Sequence, residues 1–175
     1  MVFDNSYLYH VSEQCDISVF NPRPSPRPKE VPGNLVWAVN AERLINYLLP
    51  RDCPRVTYFA AANTSAEDYQ KFIGSRSIRA VIAVEKGWLA RILATKLYVY
   101  CFMPADFVLQ DNIAGYYITS KPQVPHKVVE VNNPLLELAT YDIELRILPS
   151  LIKLRDQVIS STLGFSCIRM RNAKK

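Results

Sequence analysis

Short apolar runs broken by polar and proline-rich stretches dominate the chain, and few of those runs are long enough for a helix. Tyr7-Leu8-Tyr9-His10-Val11 reads as a strand over residues 6 to 11, because aromatic and β-branched side chains suit a pleated surface. Its alternation sends Tyr7, Tyr9 and Val11 to one face and Leu8, His10 and Ser12 to the other. Leu35 to Val39 reads as a second strand. Asn40 then caps a helix whose apolar side is Leu44, Ile45, Tyr47, Leu48 and Leu49, and Pro50 ends it.

The same patterning predicts strands over 56–61, 78–84, 96–102, 114–119, 127–131, 143–148 and 165–169. A helix should begin at Asn63-Thr64-Ser65, where Glu67 and Asp68 suit the positive end of the dipole. Others are expected through Leu93, over 134–139, and over 150–159 with Pro149 at the first helical position. Residues 104–110 read as a turn anchored by Phe107, and Tyr47 and Trp88 as core. Such short helices do not suit a doubly wound parallel sheet. The expectation is one α+β domain over 1–175 with a mixed, split twisted sheet.

Residues 21–33 depart from this rhythm. Pro22, Pro24, Pro26, Pro28 and Pro32 forbid helix and remove ladder donors, so the proline-rich loop should be extended. Arg23, Arg27 and Lys29 alternate with the prolines, either as a solvated connector or as a stiff basic rim for an anionic ligand.

Composition adds limits. The chain has 175 residues, 49% of them hydrophobic, and no apolar run near the ~20 residues of a membrane span. With no basic-then-apolar leader at the N-terminus, a cytoplasmic protein with no membrane partner is expected. Net charge is +5, its excess collected in Arg169, Arg171, Lys174 and Lys175, so that 172–175 reads as a solvated basic tail. Cys15, Cys53, Cys101 and Cys167 form no C-x-x-C pair and read as buried free thiols.

Most chemistries lack their residues. G-x-G-x-x-G, the phosphate loop and the G-x-S-x-G elbow are absent, and five glycines leave little material for them. The two histidines, His10 and His126, have no second ligand at helical or hairpin spacing, so no metal is expected. A paired-carboxylate site would draw on Glu137, Asp142 and Glu144, but Glu137 and Asp142 flank a loop and read as solvated surface, and Arg51 with Asp52 reads as an ion pair at a helix end. His10, on a strand just before a long loop, is left as the candidate centre.

Tyr9-His10-Val11-Ser12, then Ile17-x-x-Phe20-x-Pro22-Arg23, then Val36-Trp37-Ala38-Val39 running into a helix, resembles the opening of ADP-ribosyltransferase-like domains. Tyr117-Ile118-Thr119-Ser120 with the strand after Val124-Pro125 resembles their third element. The whole chain also looks like an uncharacterised bacterial family, through Pro50-Arg51-Asp52-Cys53-Pro54-Arg55 and Ile168-Arg169-Met170-Arg171-Asn172. The resemblance implies a domain that binds NAD or a related nucleotide. His10 would meet a ribose hydroxyl, Trp37 or Ala38 would line the nicotinamide pocket, and Tyr117 would take the third catalytic position. Ser12, Arg23, Arg27, Arg51, Tyr116 and Ser120 are the remaining binding candidates, with Trp37 and Tyr117 sandwiching a base. The third strand has no glutamate, which puts transfer to a protein side chain in doubt; the RNA phosphotransferase branch of the same superfamily works without it, so RNA and protein both stay open as acceptors. The other reading is a non-enzymatic interaction protein that uses the proline-arginine loop and the basic C-terminus.

Overall fold

The computed structural model describes residues 3–74 and 77–175, an α+β chain with two sheets and short helices. The chain forms two compact units, Met1–Leu48 with Lys96–Asn132, and Leu49–Thr95 with Asn133–Lys175.

The first unit holds a sheet of order β7-β8-β3-β1-β6-β9, all of it antiparallel. Its strands are β1 (Leu8–Ser12), β3 (Asn34–Val39), β6 (Leu97–Phe102), β7 (Val108–Asp111), β8 (Tyr116–Thr119) and β9 (Lys127–Val131). The two-residue β2 (Arg23–Pro24) joins β3. On one face Leu8, Val36, Ala38, Tyr100, Phe102 and Phe107 form a buried cluster, with Ile17, Phe20, Tyr98 and Tyr117 packed on it. Each large side chain in it contributes ~1.5–3 kcal/mol by leaving water.

The helix expected over 40–49 is shorter. Asn40 does cap it, accepting the Arg43 N–H at 3.0 Å, but α1 covers only Ala41–Leu44 before a 3-10 turn at Ile45–Tyr47. An apolar run ahead of a proline carries the same pattern for a full helix as for one tight turn followed by an extended exit. Gly115, at φ 63, sits where a side chain would collide with Asn40 and Arg43, and its carbonyl accepts the Asn40 N–H. Arg43 also donates to the Ile113 carbonyl, so the start of α1 is clamped to the turn that opens β8.

The second unit holds a four-stranded sheet, β10-β5-β4-β11. Here β4 is Arg55–Phe59, β5 Ala80–Glu85, β10 Ile143–Leu148 and β11 Gly164–Ile168, with β10 parallel to β5 and the other pairs antiparallel. Its core is Val56, Tyr58, Phe72, Ile73, Val81, Ala83, Leu151, Val158 and Leu163. Helices α2 (Ala66–Phe72), α3 (Leu89–Ala94), α4 (Pro134–Leu138) and α5 (Ile152–Ile159) complete the unit. Ser65 caps α2 by accepting the Asp68 N–H, and Asn133 caps α4. Pro149 precedes α5 instead of opening it.

Several side chains in this unit have contacts that the sequence did not announce. Asp52 lies 3.6 Å from Arg169 Nε, a long-range contact no local pattern could supply. Glu137 is only half exposed, with Oε1 buried. The basic tail is tied down. Glu85 is buried at 4% exposure, and its carboxylate accepts the N–H groups of Leu151 and Lys174. A buried carboxylate needs such donors, and the chain end supplies one. The cysteines are free: Cys53 and Cys101 are buried, Cys167 is half-buried, and Cys15 is exposed because it sits on the loop after β1.

Candidate functional site

Strand pairing places His10 in a row across the first sheet. His10 is opposite Tyr100 on β6, Ala38 is opposite Tyr117 on β8, and the Tyr9–Val39 register sets His10 beside Ala38. All of these side chains share one face, the small Ala38 lying between the imidazole and the phenol. With strands ~4.8 Å apart, His10 and Tyr117 are separated by roughly two strand spacings.

The Trp37 carbonyl and the Phe20 ring both hold the imidazole. Its Nδ1 lies 2.9 Å from the Trp37 carbonyl oxygen, which can only accept, so Nδ1 carries the proton. In the neutral ring Nε2 then keeps its lone pair. The Phe20 ring lies against the imidazole at 4.9 Å, and also against Tyr100 and Phe102. Phe20 is held there by paired backbone bonds to Gln123. The loop before it is pinned by the buried Tyr100 hydroxyl, which donates to the Gln14 carbonyl at 2.7 Å and accepts the Ile17 N–H at 3.2 Å. Phe20 therefore closes one side of His10, Ala38 keeps only 2% exposure, and the imidazole itself stays half-exposed.

The other sequence candidates divide by face. Ser12 is in β1 on the His10 side, opposite Tyr98, and its hydroxyl accepts the Gln14 N–H. Trp37 and Tyr116 are on the opposite face, ring to ring at 5.5 Å in an edge-on contact. Trp37 and Tyr117 therefore do not sandwich a base: adjacent positions of a pleated strand point oppositely, and Tyr117 pairs with Ala38. Arg27 places its guanidinium 5.3 Å from the Tyr116 ring, and Tyr47 donates its hydroxyl to that of Tyr116 at 2.7 Å. Tyr47 is thus part of a polar group, not plain core. Arg23 is exposed in β2, and Ser120 is exposed just past β8. Arg51 belongs to the second unit, where its carbonyl accepts from Arg169.

The parts that sequence reasoning passed over are Phe20, which backs the imidazole, and the hydroxyls of Tyr47 and Tyr100. Only strand register reveals Tyr100, since nothing local links position 10 to position 100. Among the described residues no group of three or more His, Cys, Asp or Glu is placed to hold a metal ion.

A family model matches residues 9–173, from β1 to the anchored C-terminal segment. The chain belongs to a family of unknown function, DUF6886. That match takes in both units and every residue of the His10 row. No curated protein and no solved structure matches this DUF6886 chain.

Proposed function

We propose that the first unit is an ADP-ribosyltransferase-like domain that takes NAD or a related nucleotide on the face carrying His10 and Tyr117. The observation that supports this reading is the adjacency of β1, β3 and β8, three of the strands on which the resemblance rests, with His10, Ala38 and Tyr117 in one cross-strand row; the fourth, β9, lies at the far edge beside β6. His10 Nε2 accepts a hydrogen bond from a ribose hydroxyl, since Nδ1 is committed to the Trp37 carbonyl. Tyr117 offers a ring for offset stacking, and Ala38 keeps the floor between them low. No carboxylate occurs from Tyr116 through Lys121, so the reading is nucleotide binding with no activation of a protein acceptor by this strand.

Calorimetry with NAD and with ADP-ribose tests it. Wild type should bind at least one, and His10→Ala and Tyr117→Ala should each weaken binding about tenfold or more, the equivalent of one lost charge-assisted or well-aligned contact. Wild type binding neither ligand ends the proposal.

A further inference from the structure

The opposite face of the same sheet carries a second group with its own chemistry. Arg27, Trp37 and Tyr116 come from the proline-rich loop, β3 and β8, and the first two each lie within stacking distance of the Tyr116 ring. Each presents a donor that has no close acceptor among the described residues. The Trp37 indole N–H is buried and has no hydrogen-bond partner among the described residues. The Tyr116 hydroxyl accepts from Tyr47, which leaves its own proton to donate. Arg27 is exposed, stacked on Tyr116, and met only by the Glu30 carboxylate at 3.7 Å, a long and solvated contact. A buried donor without an acceptor is uncommon in a folded chain, and donors from three elements with no acceptor among them suit an acceptor-only group.

We propose that Arg27, Trp37 and Tyr116 form an oxyanion site for a phosphate group, separate from the His10 face. Phosphate offers several oxygens in different directions, and a guanidinium recognises two of them in a fork. Glu30 is the competing anion already in place, and the guanidinium on its exposed loop is the part that moves to admit the ligand. Gly115, clamped on Asn40 and Arg43, fixes the start of β8 and with it Tyr116. This inference does not depend on nucleotide binding at His10.

The chain has two tryptophans, so the full-length protein labelled with 15N gives two indole signals, which Trp88→Phe assigns. Inorganic phosphate, AMP and adenosine are titrated at constant ionic strength. The Trp37 indole signal should move saturably with phosphate and AMP and stay still with adenosine. Tighter binding of AMP marks a phosphomonoester as the source, and equal binding marks the free anion. Arg27→Ala should weaken the response about tenfold or more, and Glu30→Gln should strengthen it. No movement with phosphate or AMP, an equal response to adenosine, or persistence of the response in Arg27→Ala would each overturn the assignment.

Discussion

Trp37 and Tyr117 stand on opposite faces of one sheet, because Tyr117 pairs with Ala38 and Trp37 with Ile118. A ligand that stacks on the Tyr117 ring therefore cannot also stack on Trp37. The nucleotide proposed for the His10 face and the phosphate group proposed beside Arg27 are separated by the sheet itself.

Ala38 is the low point of the His10 row, and at 2% exposure it has no space for growth. Ala38→Val should destabilise the protein by about 1–3 kcal/mol through overpacking and weaken nucleotide binding. Urea denaturation with calorimetry on the same variant reads both effects. Unchanged stability and affinity would mean that the face is more open than this geometry allows.

Gly115→Ala should cost about 1–3 kcal/mol, since φ 63 is strained for any residue with a side chain. A Cβ there would also lie 2.6 Å from Asn40 Oδ1 and 2.7 Å from Arg43 Cγ. Gly87, with open space around its Cβ position and no unusual φ, is the control. Gly87→Ala should stay within about 0.5 kcal/mol. Equal denaturation midpoints for the two variants would contradict the clamp.

Glu85 Oε1 accepts from both Leu151 and Lys174, and Oε2 accepts from Lys174 as well, so Glu85→Gln removes the charge behind these bonds and sets an amide donor against the Lys174 N–H where Oε2 was. The expected loss is about 1–3 kcal/mol, with faster carboxypeptidase trimming at Lys174 and Lys175. Wild-type trimming rates in the variant would show that the carboxylate does not hold the chain end.

Burial pushes the Cys53 thiol up to about 11, with Arg55 opposing and Glu85 adding to the rise, and burial raises Cys101 and Cys167 as well. Near pH 8, where a free thiol is partly ionised, alkylation followed by mass spectrometry should mark the exposed Cys15 first and leave Cys53 unmodified. Because the folded Cys53 pKa lies above the unfolded 9.0, its contribution to stability is whole below pH 9. It is lost as pH rises through about 11. Cys53→Ala should flatten the stability profile over that interval.

Local pattern made much of the fold legible. Lys127–Val131 and Ile143–Leu148 form strands with the bounds read from their β-branched runs between Asn, Pro and Asp. Strand β7 was hidden because Val108-Leu109-Gln110 follows a proline turn, and its pairing with Tyr117 depends on the hairpin that closes later. A split sheet was expected, but which strands fall in which sheet was equally invisible, since β10 pairs in parallel with β5 across more than fifty residues of chain. At the candidate site, alternation assigned His10 to one face of its own strand. It could not place Trp37 relative to Tyr117, because registers between strands belong to long-range pairing. The same limit concealed Tyr100 and Phe20.

The Trp37 carbonyl holds His10 as the Nδ1–H tautomer, and the nucleotide proposed for this face would meet the imidazole through Nε2. Long-range 1H–15N correlation of the imidazoles measures this directly, with His126→Asn assigning the second ring. The expected result is a protonated Nδ1 and a lone-pair Nε2 in the free neutral ring, with the Nε2 resonance moving as NAD or ADP-ribose is added. A neutral ring protonated at Nε2, or an Nε2 resonance that stays fixed through a saturating titration, would contradict it.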